Sequence, residues 1–284
     1  MPHHPVVKIG SSTPVRPVFD GSAKEIGKYS LNECLDKGPN LIEKIPACLA
    51  RLRQGKVGVS GDIEKAFLQI SLNEKDRDYL RFVWINEEGQ TVVYRHCRVV
   101  FGVSPSPFLL ESCINLHLQE TLTRCEDGTA NHPIEFVKKL AGSFYVDNCL
   151  TSCDSMEEAR EFAKVAASTM AERKFVLRGW EYTGDSSSNG STNVLGLLWN
   201  REEDVLSVNT SSLLTMKYDK ITKKVMLSAA HRLFDPVGML SCVLLVPKLL
   251  IQETWREKCS WNEKVSLDLQ EKFQCWMNEV DYQR

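Results

Sequence analysis

The sequence predicts an α+β fold. Paired strand-like segments fill its middle, helical periodicity takes over toward its end, and Gly- and Pro-rich turn signals separate the two kinds of segment. The expected division is residues 1–210 as one mixed part and residues 211–284 as a smaller, mostly helical part.

Taken in order, residues 1–30 are broken by Pro2, Pro5, Pro14, Pro17 and three glycines, so short strands and loops are expected. Apolar positions 41, 42, 45, 49 and 52 recur at helical spacing. KVGVSGDI then alternates like a strand and stops at Asp62. Residues 79–85 and 91–100 are rich in aromatic and β-branched types and flank NEEGQ, which reads as a hairpin loop. A helix is expected from Pro105 and Pro107 to about Thr123, because proline suits a first helical turn. SFYV and CLTS form a second hairpin with Asp147-Asn148 as its turn pair. Residues 155–172 read as an amphipathic helix, with Ser155 as cap and Glu158 three residues on. DSSSNGST (185–192) reads as a polar loop, and VLGLLWN and DVLSVN as a third strand pair around REED. Helices follow from Thr222, broken at Asp235-Pro236-Val237-Gly238.

The composition is that of an ordinary globular chain: 284 residues, 43% hydrophobic and 25% charged. Residues 239–251 form the longest apolar run, interrupted by Pro247 and Lys248 and well short of the roughly 20 residues a membrane span needs; a buried helix is expected there. MPHHPVVKIG lacks a charged region followed by an apolar one, so no secretory signal is read and an intracellular, cytoplasmic location is expected. The ten cysteines contain no CxxC pair, so they read as small core residues rather than zinc ligands or disulfides. A net charge of −2 gives no global basic footprint, although residues 1–65 hold ten Lys/Arg against seven Asp/Glu.

Three features bear on chemistry. Asp62 ends a strand in GDIEKAFLQI, where it reads either as a helix N-cap or as a carboxylate projecting toward a cation. FYVDN (144–148) is either an ordinary Asp-Asn turn or a hairpin tip that carries Asp147 to a cation shared with Asp62. Magnesium wants oxygen ligands, and a pair of such ions can stabilise both oxygens of an in-line phosphoryl transfer. VFGVSPSPF (100–108) is, by itself, a turn leading into a helix.

In their order and spacing, these segments resemble the motif series of reverse transcriptases: strand-Asp-xxx-Ala-Phe, then FG before a helix, then an aromatic-x-Asp hairpin. RPVFDGSAK, SLNECLDKGPNLI, PHHPV, KKVMLSAAHRLFDPVGMLS and LLIQETWREKCSW are similar to segments of the Pao/BEL group of long-terminal-repeat retrotransposons. The resemblance implies a polymerase-like right hand, with fingers and palm over residues 1–210 and a thumb- or connection-like helical part over 211–284. It implies RNA-directed DNA synthesis with two Mg2+ ions, Mn2+ being a possible substitute, on an RNA or DNA template with a primer, from deoxynucleoside triphosphates. No membrane is implied, and the oligomeric state is left open.

Residue by residue, it implies Asp62 and Asp147 as metal ligands with the Ile63 carbonyl nearby, and Asn148 as a catalytic neighbour. Phe67 would be the gate facing the sugar 2′ position, and it also reads as a core aromatic. Phe101 and Gly102 would meet the incoming nucleotide. Arg16 and Lys24 would sit near its triphosphate, Arg16 with the planar fork that matches phosphate oxygens. Lys174 would assist the pyrophosphate leaving group, with Arg178 an equally placed competitor, and Leu195-Gly196 would lie in a primer-grip strand. The family's hairpin usually carries two adjacent aspartates; here the second is Asn148, which keeps an oxygen donor and loses a charge. A protease, a ribonuclease H and an integrase would ordinarily flank such a domain, and none is expected to fit in this chain.

Overall fold

A computed structural model describes residues 1–7, 15–185 and 190–282. The expected polar loop at 185–192 lies partly outside them. Two compact units, Met1–Tyr182 and Thr183–Arg284, are described separately.

The first unit opens with an antiparallel pair, β1 (His3–Val7) and β2 (Val15–Phe19), then the short α1 (Leu31–Cys34). Ser30 and Glu33 close a reciprocal capping box at its start. Helix α2 (Ile45–Leu52) leads into β3 (Val57–Ile63), and β4 (Arg81–Ile85) and β5 (Thr91–Arg95) form the expected hairpin around NEEGQ. Then come α3 (Ser106–Glu126), α4 (Ile134–Ala141), β6 (Phe144–Tyr145), β7 (Asn148–Cys153), α5 (Met156–Ala171) and β8 (Leu177–Tyr182).

The central sheet is antiparallel in the order β6-β7-β3-β8. Its apolar residues Val59, Ile63, Phe144 and Leu177 share one core with Leu110, Ile114 and Leu118 of α3, Leu140 of α4, and Phe162 and Met170 of α5. Ser155 caps α5 by accepting from the Glu158 amide, as the sequence predicts. Glu158 reaches back one residue further, to the Asp154 amide at 2.9 Å. The far end of α5 closes with two bonds, Phe175 N–H to the Met170 carbonyl (3.1 Å) and Lys174 N–H to the Ala171 carbonyl (2.9 Å). That is a Schellman end, and it places Lys174 in the left-handed region at φ +66°.

The second unit begins with a three-stranded sheet of β9 (Ser191–Val194), β10 (Leu197–Asn200) and β11 (Val205–Val208). Helices α6 (Ser211–Leu214), α7 (Lys223–Arg232), α8 (Ser241–Arg256) and α9 (Leu267–Tyr282) follow. Thr222 caps α7 through the Val225 amide. The break after it is fixed by Asp235, whose carboxylate accepts from the Met239 and Leu240 amides at 2.9 and 2.6 Å, with Gly238 at positive φ. Met226, Ala229, Leu250, Ile251, Phe273 and Trp276 form the core of this unit.

Several expectations need correction. The residue 239–251 helix is only half buried: Leu250 and Ile251 face the core, and Leu245, Val246 and Leu249 are exposed. Cys48, Cys149 and Cys153 are core residues, but Cys34, Cys97, Cys113, Cys242 and Cys275 are exposed. Leu195-Gly196 is not strand. Both residues have positive φ and form the tight turn joining β9 to β10. Helix α4 is an element the sequence reading passed over. No helix among the described residues is long and apolar enough to cross a membrane.

Candidate functional site

The site grows out of the two central strands. Strand β3 carries Asp62 next to its end, and Asp62 lies opposite Asn148 in the antiparallel register with β7. β6 and β7 meet at Tyr145 and Asn148, so the hairpin turn is Val146-Asp147 and Asn148 is the first residue of β7. This corrects the expected Asp147-Asn148 turn. Val146 takes the positive φ of the first turn position, +55°, which is costly for a β-branched residue. The β7–β3 ladder holds it there, and the Ile63 amide adds one more bond by donating to the Asp147 carbonyl at 2.9 Å.

The two carboxylates feel each other. Burial pushes the Asp147 carboxyl above its ordinary value, and the nearby negative charge of Asp62 pushes the same way. The Asn148 side-chain amide donates to Asp147 Oδ1 at 3.1 Å. On the other side of β3, Asp62 lies opposite Arg178 of β8, whose Nε stands 3.7 Å from Asp62 Oδ2. The same guanidinium reaches Glu64 Oε1 at 3.2 Å. Of the two cations weighed from the sequence, Arg178 is the one beside Asp62. Lys174 occupies the exposed helix end described above.

A second group gathers around Phe101 and Gly102. Phe67 is 5% exposed and meets Phe101, 62% exposed, edge to face at 4.6 Å between centroids. Phe67 also packs in the main core, so its core reading holds. Gly102 has φ +92°, and a Cβ there would overlap the Phe19 carbonyl. Its own carbonyl accepts from the Gly21 amide at 3.3 Å and from the Asn32 side chain at 3.2 Å. Arg16 lies exposed on β2 opposite Val6, and Lys24 forms a 2.6 Å ion pair with Glu33. That lysine, with the Ser30 bonds, holds the Glu33 carboxyl down at about 2.

Two residues escaped the sequence reading. Asn32 ties the segment around Gly21 to Gly102 and also accepts from the Ser104 amide at 2.8 Å. Nothing in its local sequence marks that role. Gly179 has φ +61°, and a Cβ there would stand 2.7 Å from Asp62 Oδ1. A lone glycine inside the strand-like LRGWEY is the signal that could have found it, since such a glycine often marks a bulge or a close approach. The β3–β8 register does shift between Ser60 and Asp62.

Comparison with known proteins follows the same outline. Residues 23–178 match the family described as Reverse transcriptase (RNA-dependent DNA polymerase). Residues 222–284 match the Pao retrotransposon-like RNaseH-like domain. A stretch similar to an RNaseH-like domain therefore falls within the chain, contrary to the sequence expectation, although its described residues are mainly the helices α7 to α9. No curated protein matches. Among solved structures, the foamy viral protease-reverse transcriptase dRH in complex with double-stranded DNA is similar at TM-score 0.61 and 14% identity, over 99% of this chain and 43% of that one. The foamy viral protease-reverse transcriptase with an RNA/DNA hybrid gives TM-score 0.60 at 15% identity, over 99% of this chain and 33% of that one. This chain thus spans less than half the length of these two relatives. By the family match over more than half its length, together with the Pao match beyond it, the chain belongs to the reverse transcriptase family, in its Pao/BEL retrotransposon type.

Proposed function

We propose that the chain is the nucleotidyl-transfer core of an RNA-directed DNA polymerase, extending a primer on an RNA or DNA template from deoxynucleoside triphosphates. The observation that carries this reading is the convergence of Asp62 and Asp147 from a strand end and a hairpin tip, close enough for one carboxylate to raise the other. Two mutually repelling, partly buried carboxylates are a donor set of hard oxygens, which suits magnesium, or manganese in its place. Asp62 and Asp147 would hold the ions, with the Ile63 carbonyl and Asn148 beside them. Bound there, two divalent ions supply stabilisation of the attacking and leaving oxygens of an in-line phosphoryl transfer.

The chain's own residues would do the positioning. Gly102, exposed beside Phe101, would let the nucleotide approach. Phe101 would offer an open ring face, and Phe67 behind it would limit the sugar. Arg16 and Lys24 would attract the triphosphate, and Lys174 or Arg178 the departing pyrophosphate. In this reading residues 1–210 are fingers and palm, residues 211–284 are thumb- or connection-like, and the protein works in the cytoplasm.

Asn148 favours a second reading, a catalytically silent remnant that still grips nucleic acid. Its amide brings no charge to the cation site and already bonds Asp147. Primer extension on an RNA template with Mg2+ or Mn2+, comparing the parent with Asn148→Asp and Asp62→Asn, separates the two. Extension by the parent that is lost in Asp62→Asn supports the polymerase. A silent parent restored by Asn148→Asp supports the remnant. In either case binding to a primed template should weaken as salt rises, because phosphates would supply most of the contact energy.

A further inference from the structure

Strand β8 presents Arg178 to Asp62 immediately before Gly179. The positive φ of Gly179 and the register shift opposite it turn the strand, and its missing Cβ leaves room for Asp62 Oδ1. The Asp62 carboxylate therefore has two cross-strand neighbours of unlike kind: uncharged Asn148 on β7 and cationic Arg178 on β8. Arg178 spans Asp62 and Glu64 at 3.7 and 3.2 Å, and both Arg178 and Asp62 are about half exposed, at 48% and 49%. An ion pair in that setting is weak enough to be exchanged. Asp147, by contrast, has the neutral Asn148 amide against its carboxylate.

We propose that Arg178 is a displaceable counter-ion of Asp62, which neutralises that carboxylate until a divalent cation competes it away and which thereby lowers the affinity of the Asp62–Asp147 pair for the cation. Glu64 gives the released guanidinium a place to stay, so displacement need not move β8. This rests on the cation-binding half of the reading above and is independent of whether the chain polymerises.

Mn2+ titration of the full chain, without nucleic acid or nucleotide and read by electron paramagnetic resonance of the free ion, tests it. Arg178→Gln should bind Mn2+ roughly two- to five-fold more tightly than the parent, the scale of one half-exposed ion pair. Arg178→Lys, which keeps the charge, should bind like the parent. The gain should vanish when Asp62→Asn is added to Arg178→Gln. Unchanged or weaker binding by Arg178→Gln, with its circular dichroism intact, overturns the inference. Absence of binding in every variant overturns it together with the cation site, whereas tighter binding without primer extension upholds it and counts against the polymerase alone.

Discussion

The main-chain amide of Ile63 donates to the carbonyl of Asp147 across 2.9 Å, fastening the end of one strand to the tip of a hairpin that follows it 84 positions later in the chain. The carboxylates of Asp62 and Asp147 are consequently held near each other at a cost paid by Asp147, whose carboxyl is raised above 3.8 by burial and by Asp62. A raised acid binds its proton more tightly folded than unfolded, so stability is fullest below the unfolded value and falls as pH rises through the folded one. In metal-free buffer Asp147→Asn should therefore melt above the parent at neutral pH, with the gap closing toward pH 3.8. Thermal melts at several pH values check this; a gap that widens on acidification would contradict it.

Divalent cations should reverse that penalty. Mg2+ or Mn2+ should raise the melting temperature of the parent with the logarithm of cation concentration above the dissociation constant, by about 2.7 kcal/mol of stability at 100 times that constant. The increment should be lost in Asp62→Asn and in Asp147→Asn. Calcium-free scanning fluorimetry with and without a chelator measures it.

Gly102 has no room for a side chain. Gly102→Ala should cost roughly 2 kcal/mol or more, from the positive φ and from overlap with the Phe19 carbonyl. Asn32→Ala, which removes bonds to Ser22 Oγ, the Gly102 carbonyl and the Ser104 amide, should cost about 1–3 kcal/mol. Denaturant unfolding gives both values, and near-neutral substitutions would show that this link between segments carries no stability.

Lys174 separates structure from chemistry. Its left-handed conformation costs roughly 1–2 kcal/mol, and glycine there would add only 0.5–1 kcal/mol of unfolded-chain entropy by the usual scale, approximately. Lys174→Gly should thus be stabilising by about 0.5 kcal/mol, and Lys174→Val destabilising. If Lys174 serves the leaving pyrophosphate, primer extension will fall in Lys174→Gly despite the added stability. If Arg178 takes that place, the rate will hold.

Much of this was legible in the residues. Ser155 announced its cap, Thr222 the start of its helix, NEEGQ its hairpin, and Asp62 its strand end, because each of these depends on neighbours a few positions away. The turn at Val146-Asp147 was not legible, since local preference argues against valine at positive φ and only the ladder to β3 enforces it. Gly102 came from the family pattern, but its hold on Phe19 and Asn32 joins segments about 70–80 residues apart, as the chain numbers show. The exposed cysteines and the open face of α8 failed for a related reason: hydrophobic character says which side chains prefer burial, not which of them find it.

The ladder between β3 and β7 is built from main-chain groups, indifferent to whether position 148 carries an acid or an amide. Natural selection on foldability alone would then be blind to that exchange. A lineage could drift from two adjacent acids to one and back by changes at a single codon, with the scaffold intact at each step. Such a chain keeps the option of its chemistry for as long as it keeps its strands.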